Sequence, residues 1–167
     1  MGDKYYNVLF LCTHNSARSI MAEAVLNNPV VNKGHFKAFS AGTRPSRKPN
    51  RFAIEQLRRA GLPVDGLRSK DWDEFATLDS PKMDFVFTVC DTAANEVCPV
   101  WPGRPMTAHW GLPDPAAVNG SDEQKRRAFA ETFRHLSNRI HLFTELPMEK
   151  LGNLSLQRKL DGIGNTK

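Results

Sequence analysis

Residues 8–19 read VLFLCTHNSARS and carry more information about structure than any other segment of this 167-residue chain. Residues 8–11 are apolar at every position, which predicts a strand buried on both faces of a parallel sheet. Small polar residues follow, and a helical pattern begins near Arg18. The segment therefore predicts a buried strand that turns directly into a helix.

Cys12 and Arg18 lie at this turn with five residues between them. Backbone N–H groups of such a turn, together with the start of a helix, favour bound negative charge. Arg18 adds a planar fork of donors that matches an oxyanion, and these positive surroundings are expected to lower the pKa of the Cys12 thiol. The predicted chemistry is attack by the Cys12 thiolate on a phosphate-like anion. The alternative, a buried cysteine near a solvated arginine, fits the strand–turn–helix context less well.

Strands and helices alternate along the rest of the chain. We predict further strands at residues 36–40, 83–90 and 107–112, and helices at 19–27, 50–60, 71–78 and from Ser121 onward. Residues 62–70 suit either a strand or a loop. This order predicts an α/β fold, a three-layer single domain with a central, mostly parallel four-stranded sheet flanked by helices. Residues 1–146 would form that domain, and residues 147–167 a C-terminal extension that docks a short helix or mediates self-association.

Composition restricts the possible partners. The net charge of +5 would help to steer a small anion to the site. The basic residues are dispersed without a nucleic-acid-binding motif, and the densest group, at residues 44–51, is predicted to be a solvated loop. Apolar runs are too short to span a bilayer, and the first residues lack a signal-peptide pattern. We therefore predict a cytoplasmic protein with neither a nucleic-acid nor a membrane partner.

There are two further cysteines: Cys90 ends the strand predicted at 83–90, and Cys98 lies in the loop predicted at 91–105. Three cysteines in a chain without an export signal argue against structural disulfides and leave reactive thiols as the alternative. Cys12 and Cys90 each end a predicted parallel strand, which places them at the same edge of the sheet. Cys90 as a core thiol and Cys98 without a role remain alternatives. A zinc site that combines the cysteines with His109 lacks the usual ligand spacing.

Asp114 lies between two prolines, which restrict its backbone. A carboxyl group held in this way suits a general acid that protonates a leaving oxygen. It suits equally well a cap for the turn that begins at Pro115, and both interpretations remain open.

Residues 12–19 resemble the phosphate-binding loop of the low-molecular-weight protein tyrosine phosphatases. Residues 21–24 and 40–43 fit the same superfamily. Residues 88–91, the Cys98-Pro99 pair and residues 109–116 resemble its arsenate reductase branch. The resemblance extends from residue 8 to residue 143 and implies a phosphatase-like fold and the reduction of arsenate to arsenite in arsenic detoxification. A phosphotyrosine or phosphomonoester phosphatase that uses Cys12, Arg18 and Asp114 is the alternative. The same three residues argue against a non-catalytic thiol sensor.

The resemblance also implies a role for each site residue. Cys12 attacks arsenate, Asp114 protonates the departing hydroxyl, and Cys90 then attacks Cys12 to release arsenite and form a disulfide. Cys98 attacks Cys90 in turn and leaves a Cys90–Cys98 disulfide. The substrate, for which phosphate and sulfate are mimics, would be bound by Thr13, His14, Asn15, Ser16, Ala17, Arg18 and Ser19.

No tightly bound cofactor is expected. An external thiol reductant, either thioredoxin or glutathione with glutaredoxin, would reduce the final disulfide. Some relatives bind a potassium ion near the loop, for which the counterparts here are Asn15, Glu23, Ser40 and Asp71. Ala17 stands where many relatives carry a further cysteine, which excludes a disulfide within the loop.

Overall fold

A computed structural model of the protein describes residues 5–90 and 101–166. Four parallel strands form one sheet in the order β2-β1-β3-β4. The strands are β1 (Tyr6–Cys12), β2 (Phe36–Gly42), β3 (Phe85–Thr88) and β4 (Met106–His109). The predicted four-stranded sheet is confirmed, and all of its strand pairs are parallel.

The helices follow the strands in the predicted alternation. They are α1 (Arg18–Leu26), α2 (Pro29–Asn32), α3 (Arg51–Arg59), α4 (Asp122–Thr144) and α5 (Asn153–Ile163). Single 3-10 turns lie at Trp72–Phe75 and Pro115–Ala117. Helix α4 begins with a capping box, in which the Ser121 hydroxyl accepts from Gln124 N and the Gln124 side chain accepts from Ser121 N. No helix in the described ranges is long and apolar enough to cross a bilayer.

The central strand β1 contributes to a core on each face of the sheet. Val8 and Phe10 belong to the core that α1, α3, α4 and α5 cover, whereas Leu9 and Leu11 pack on the opposite face with Phe75. The side chains of these four residues, Val8, Leu9, Phe10 and Leu11, are fully buried. Burial on both faces explains why every residue of the segment 8–11 is apolar.

Several predicted boundaries were wrong. The strand predicted at 107–112 ends at His109, and the next residue, Trp110, stacks on Phe87 with ring centroids 3.9 Å apart. The strand predicted at 83–90 is confined to β3, and the helix predicted at 71–78 is only a 3-10 turn. Pro29 starts the short helix α2 as its first residue after an Asn28 cap, and this element was not predicted.

The C-terminal residues form a helix that packs on the domain. Helix α5 buries Leu156, Leu160 and Ile163 in the core on the helical face of the sheet. It also contacts the edge strand β4, where Gln157 Nε2 donates to Thr107 O at 2.8 Å. A docked short helix was one of the two alternatives for this segment, and the contacts with β4 correspond to it.

Candidate active site

Residues 12–17 form a loop whose first five carbonyl groups all accept hydrogen bonds from outside the loop. The carbonyl groups of residues 12, 13, 14, 15 and 16 accept, in that order, from Thr43 N at 3.3 Å, Arg44 N at 2.8 Å, Ser46 N at 2.9 Å, Ser69 Oγ at 2.7 Å and Asn50 N at 2.8 Å. A trans peptide directs its N–H away from its C=O. The amides of residues 13–17 therefore point toward the interior of the loop, where they are suited to bind an anion.

Asn15 and Gly42 maintain this loop shape. Asn15 has φ +47° and is fully buried. Its Oδ1 accepts from Lys70 N, and its Nδ2 donates to Ser19 Oγ, both at 2.8 Å. Gly42 lies so close that a Cβ there would be 2.6 Å from Thr13 O. The loop therefore requires a residue without a side chain at position 42.

The Cys12 thiol is buried at the carboxyl end of β1, with 3% of the residue exposed. Its Sγ lies 2.8 Å from Ser19 Oγ. Burial raises the pKa of Cys12, and negative charge on Cys90 raises it further. Hydrogen bonds with Ser19 and the charge of Arg18 lower the pKa by less. Our expectation of a lowered pKa was wrong in direction, because desolvation of the thiolate exceeds the effect of the positive surroundings.

Arg18 connects the loop with the segment that carries Asp114. Its Nη1 donates to Leu112 O at 2.8 Å, and its Nη2 lies 3.7 Å from Asp114 Oδ2. Its Nε is buried and has no hydrogen-bond partner within the described residues. An oxyanion in the loop would supply that partner. Asp114 Oδ1 accepts from Ala116 N at 2.9 Å, so Asp114 also caps the following turn.

Cys90 lies close to the same loop, two residues beyond the end of β3. Its Sγ is 3.5 Å from Thr13 Oγ1, and only 2% of the residue is exposed. The structure therefore places Cys12 and Cys90 at the same edge of the sheet, as the parallel topology predicts. Cys98 lies outside the described residues.

Of the predicted site residues, Thr13, His14, Arg18, Cys90 and Asp114 line a cavity of about 720 Å³, whereas Cys12, Asn15, Ser16, Ala17 and Ser19 are not part of its lining. Its lining consists of Thr13, His14, Arg18, Arg44, Cys90, Gly111, Leu112, Pro113 and Asp114. Arg44 was missed, because we interpreted the basic residues at 44–51 as a solvated loop. Its position two residues beyond Gly42 at the carboxyl end of β2 is the signal that locates it at the active-site edge. His109, considered for zinc, instead contacts Thr88 Oγ1 through Nδ1 at 2.7 Å.

Lys70 is a buried cation beside the loop that sequence reasoning also missed. Its Nζ donates to Arg68 O at 2.7 Å and to Ser40 Oγ at 3.4 Å, and lies 3.5 Å from Glu23 Oε1. The Ser40 hydroxyl donates in turn to the Glu23 carboxylate. Burial lowers the pKa of Lys70, and the Glu23 carboxylate opposes this effect.

The four residues expected to bind potassium do not fit that ion as they are arranged. The Lys70 ammonium already contacts Glu23 and Ser40. Asn15 Oδ1 accepts from Lys70 N, and Asp71 Oδ1 accepts from the backbone N of the 3-10 turn that follows. The Lys70 ammonium group therefore supplies the positive charge beside Glu23 and Ser40.

Comparisons with known proteins agree with the fold and the loop. The family model for low molecular weight phosphotyrosine protein phosphatase matches residues 7–153. Arsenate reductase of Halalkalibacterium halodurans is 33% identical over 138 residues, which are 83% of this chain and 94% of the relative.

Two solved structures have the same fold. The crystal structure of arsenate reductase from Archaeoglobus fulgidus has a TM-score of 0.58 and 30% identity, and the match covers 80% of this chain and 98% of that one. A low molecular weight phosphotyrosine phosphatase from Vibrio cholerae has a TM-score of 0.59 and 23% identity, with 80% and 92% covered. The chain belongs to the low molecular weight phosphotyrosine protein phosphatase family.

Proposed function

We propose that this protein reduces arsenate to arsenite through a thiol–disulfide cascade. The observation that carries this proposal is the second thiol, Cys90, whose Sγ lies 3.5 Å from Thr13 Oγ1, beside the oxyanion loop that begins at Cys12. A phosphatase of this family needs one thiol nucleophile, whereas reduction of the substrate requires two electrons from a pair of thiols. The similarity to proteins named arsenate reductase supports the same assignment.

The first step is nucleophilic attack on arsenic. The loop amides and Arg18 hold the arsenate oxygens, the Cys12 thiol gives its proton to an oxygen of the arsenate dianion, and the resulting thiolate forms a bond to the arsenic atom. One arsenic–oxygen bond breaks, and the hydroxyl leaves as water after it accepts a proton from Asp114. Arg18 Nε, a buried donor without a partner in the described chain, is suited to bind one of the oxygens.

The second step transfers the electrons. The Cys90 thiolate attacks Cys12 Sγ, so that a disulfide forms and the sulfur–arsenic bond breaks. The bonding pair stays on arsenic, which is reduced from As(V) to As(III) and leaves as arsenite. Cys98 then attacks Cys90 and releases the Cys12 thiolate. Its role rests on the resemblance alone. Thioredoxin, or glutathione with glutaredoxin, would reduce the Cys90–Cys98 disulfide.

Hydrolysis of phosphomonoesters is the second candidate function. Cys12, Arg18 and Asp114 supply a nucleophile, an oxyanion clamp and an acid for that reaction as well. The cavity of about 720 Å³ is larger than a bare tetrahedral oxyanion requires. In this reaction Asp114 would protonate the alcohol that leaves, and Cys90 would have no chemical role.

The decisive experiment mixes fully reduced protein with excess arsenate and no external reductant. We expect one equivalent of arsenite and the loss of two of the three thiols per chain. Cys90→Ser should release no arsenite, although its Cys12 thiol and loop are retained. If the wild-type protein releases no arsenite and keeps all of its thiols, the cascade is wrong. Hydrolysis of an aryl phosphate that is insensitive to Cys90→Ser would then favour the phosphatase.

A further inference from the structure

The C-terminal residues beyond the family match contact the segment that leads to Asp114. The match ends at residue 153, where α5 begins. Residues 110–114 run from the end of β4 to Asp114, and we call this segment the acid loop. At its start, the fully buried Trp110 donates from Nε1 to Leu160 O of α5 at 3.0 Å.

Arg139 of α4 joins the C-terminal residues to the acid loop a second time. It is 5% exposed, and its Nη1 donates to Trp110 O at 2.8 Å and to Gly111 O at 3.3 Å. Its Nε and Nη2 donate to Thr166 O at 3.2 and 2.8 Å. A buried guanidinium is costly unless its donors are satisfied. The carbonyl of Thr166 therefore helps to keep Arg139 in the position where it binds the acid loop.

Gly164 packs tightly against the end of β4 and the base of this loop. A Cβ at position 164 would lie 2.3 Å from His109 O and 3.0 Å from Trp110 Cδ1. Only a residue without a side chain fits against the end of β4 without displacing it. Gly162, two residues earlier and within α5, has no atom within 4 Å of a Cβ at its position.

The active-site side of the acid loop is held by the catalytic machinery itself. Leu112 N donates to Val89 O at 3.2 Å, and Leu112 O accepts from Arg18 Nη1 at 2.8 Å. The loop is thus fixed between Arg18 on one side and Arg139 with the C-terminal residues on the other. A shift of its base would be transmitted over three residues to Asp114.

We propose that residues 153–166 position the general acid, with Arg139 as the positioning residue that links them to the acid loop. This inference rests on the proposed function, because it requires Asp114 to donate a proton. The segment would thus be part of the catalytic architecture of this chain, beyond the residues that it shares with its family.

The test compares Gly164→Ala with its matched control Gly162→Ala, each in the wild-type and the Asp114→Asn background. The readouts are the rate of arsenite formation in a single turnover by reduced protein and the affinity for inorganic phosphate. A displacement near 1 Å costs up to about 100-fold in rate. We expect Gly164→Ala to lower the rate by about tenfold at unchanged phosphate affinity, and Gly162→Ala to change it by less than about twofold. In the Asp114→Asn background, Gly164→Ala should have no further effect.

Equal rates for the two alanine variants would overturn the proposal. So would a tenfold loss that persists in the Asp114→Asn background, because it would then act through something other than the acid. If Gly164→Ala does not fold, Arg139→Lys is tested instead in the wild-type and Asp114→Asn backgrounds. This substitution keeps the positive charge but loses the forked donors of the guanidinium group. If the wild-type protein releases no arsenite, the same set of variants is assayed for hydrolysis of an aryl phosphate. Inactivity there as well would refute the proposed function, and this inference with it.

Discussion

Lys70→Met removes an ammonium group beside the oxyanion loop and keeps the aliphatic part of the side chain. The side chains of Lys70 and Glu23 are only 7% and 15% exposed, and their charged atoms lie 3.5 Å apart. The substitution therefore leaves a buried carboxylate without its cation. It also withdraws a donor from Ser40 Oγ and from Arg68 O.

The expected cost follows from this burial. Removal of one partner from a buried ion pair costs about 3–5 kcal/mol. The Ser40 hydroxyl continues to donate to the Glu23 carboxylate, which offsets part of that cost. We expect a loss of about 2–3 kcal/mol in the free energy of unfolding. For a domain of this size the thermal midpoint should fall by about 4–12 °C.

The assay is thermal unfolding followed by circular dichroism at neutral pH. Lys33→Met is the matched control, because Lys33 pairs with Glu145 at 3.6 Å while both side chains are more than half exposed. An exposed pair contributes about 0–1 kcal/mol. Potassium chloride, compared with tetramethylammonium chloride at the same concentration, should raise the midpoint of Lys70→Met and leave that of the wild type unchanged.

Two results would refute this reasoning. The first is a midpoint for Lys70→Met that falls no further than that of Lys33→Met, since the buried pair would then contribute no more than an exposed one. The second is a wild-type protein that potassium stabilises as strongly as the variant. An ion would then bind without displacing the Lys70 ammonium, and the position beside Glu23 and Ser40 would not be filled by the chain itself.

Four further outcomes follow from the site. Because burial raises the pKa of Cys12 above its ordinary 9.0, alkylation of this thiol in Cys90→Ser protein should accelerate as the pH rises above about 9, and a plateau near neutral pH would contradict this. The unfolded thiol ionises first, so the stability contributed by Cys12 should be complete below about pH 9 and decline above it. Gly42→Ala should weaken phosphate binding by about tenfold or more in calorimetry, whereas Gly152→Ala, which meets no atom within 4 Å, should not. Arg44→Ala should raise KM for arsenate by about two- to fivefold, less at high salt, with kcat unchanged.

The loop could be predicted because its determinants are local. The apolar residues 8–11 determine a strand that is buried on both faces, and Cys12 and Arg18 fall at fixed distances beyond it. The alternation of strands and helices then places the ends of β1 and β3 at one edge of the sheet, so the proximity of Cys90 to the loop also followed from the sequence. None of these steps depends on how side chains pack at long range.

Lys70 and Arg139 could not be predicted because their roles depend on contacts between distant segments. In the sequence each is one basic residue among 23, and neither belongs to a motif. Lys70 acquires its role from Glu23 and Ser40, which precede it by 47 and 30 positions. Arg139 acquires its role from carbonyl groups before and after it in the chain. Only the packed structure shows that these cations are buried, and burial gives them their energetic weight.

The two interpretations of Asp114 do not compete for the same atom, because its two carboxylate oxygens have different partners. Oδ1 accepts from Ala116 N and caps the turn, whereas Oδ2 faces Arg18 across 3.7 Å at the cavity. Because Oδ1 is engaged by a backbone N–H, the proposed proton transfer would use Oδ2, the oxygen that lies 3.7 Å from Arg18 Nη2. The turn cap would therefore help to orient the proposed acid, and the prolines beside Asp114 restrict the backbone in a way that suits both roles.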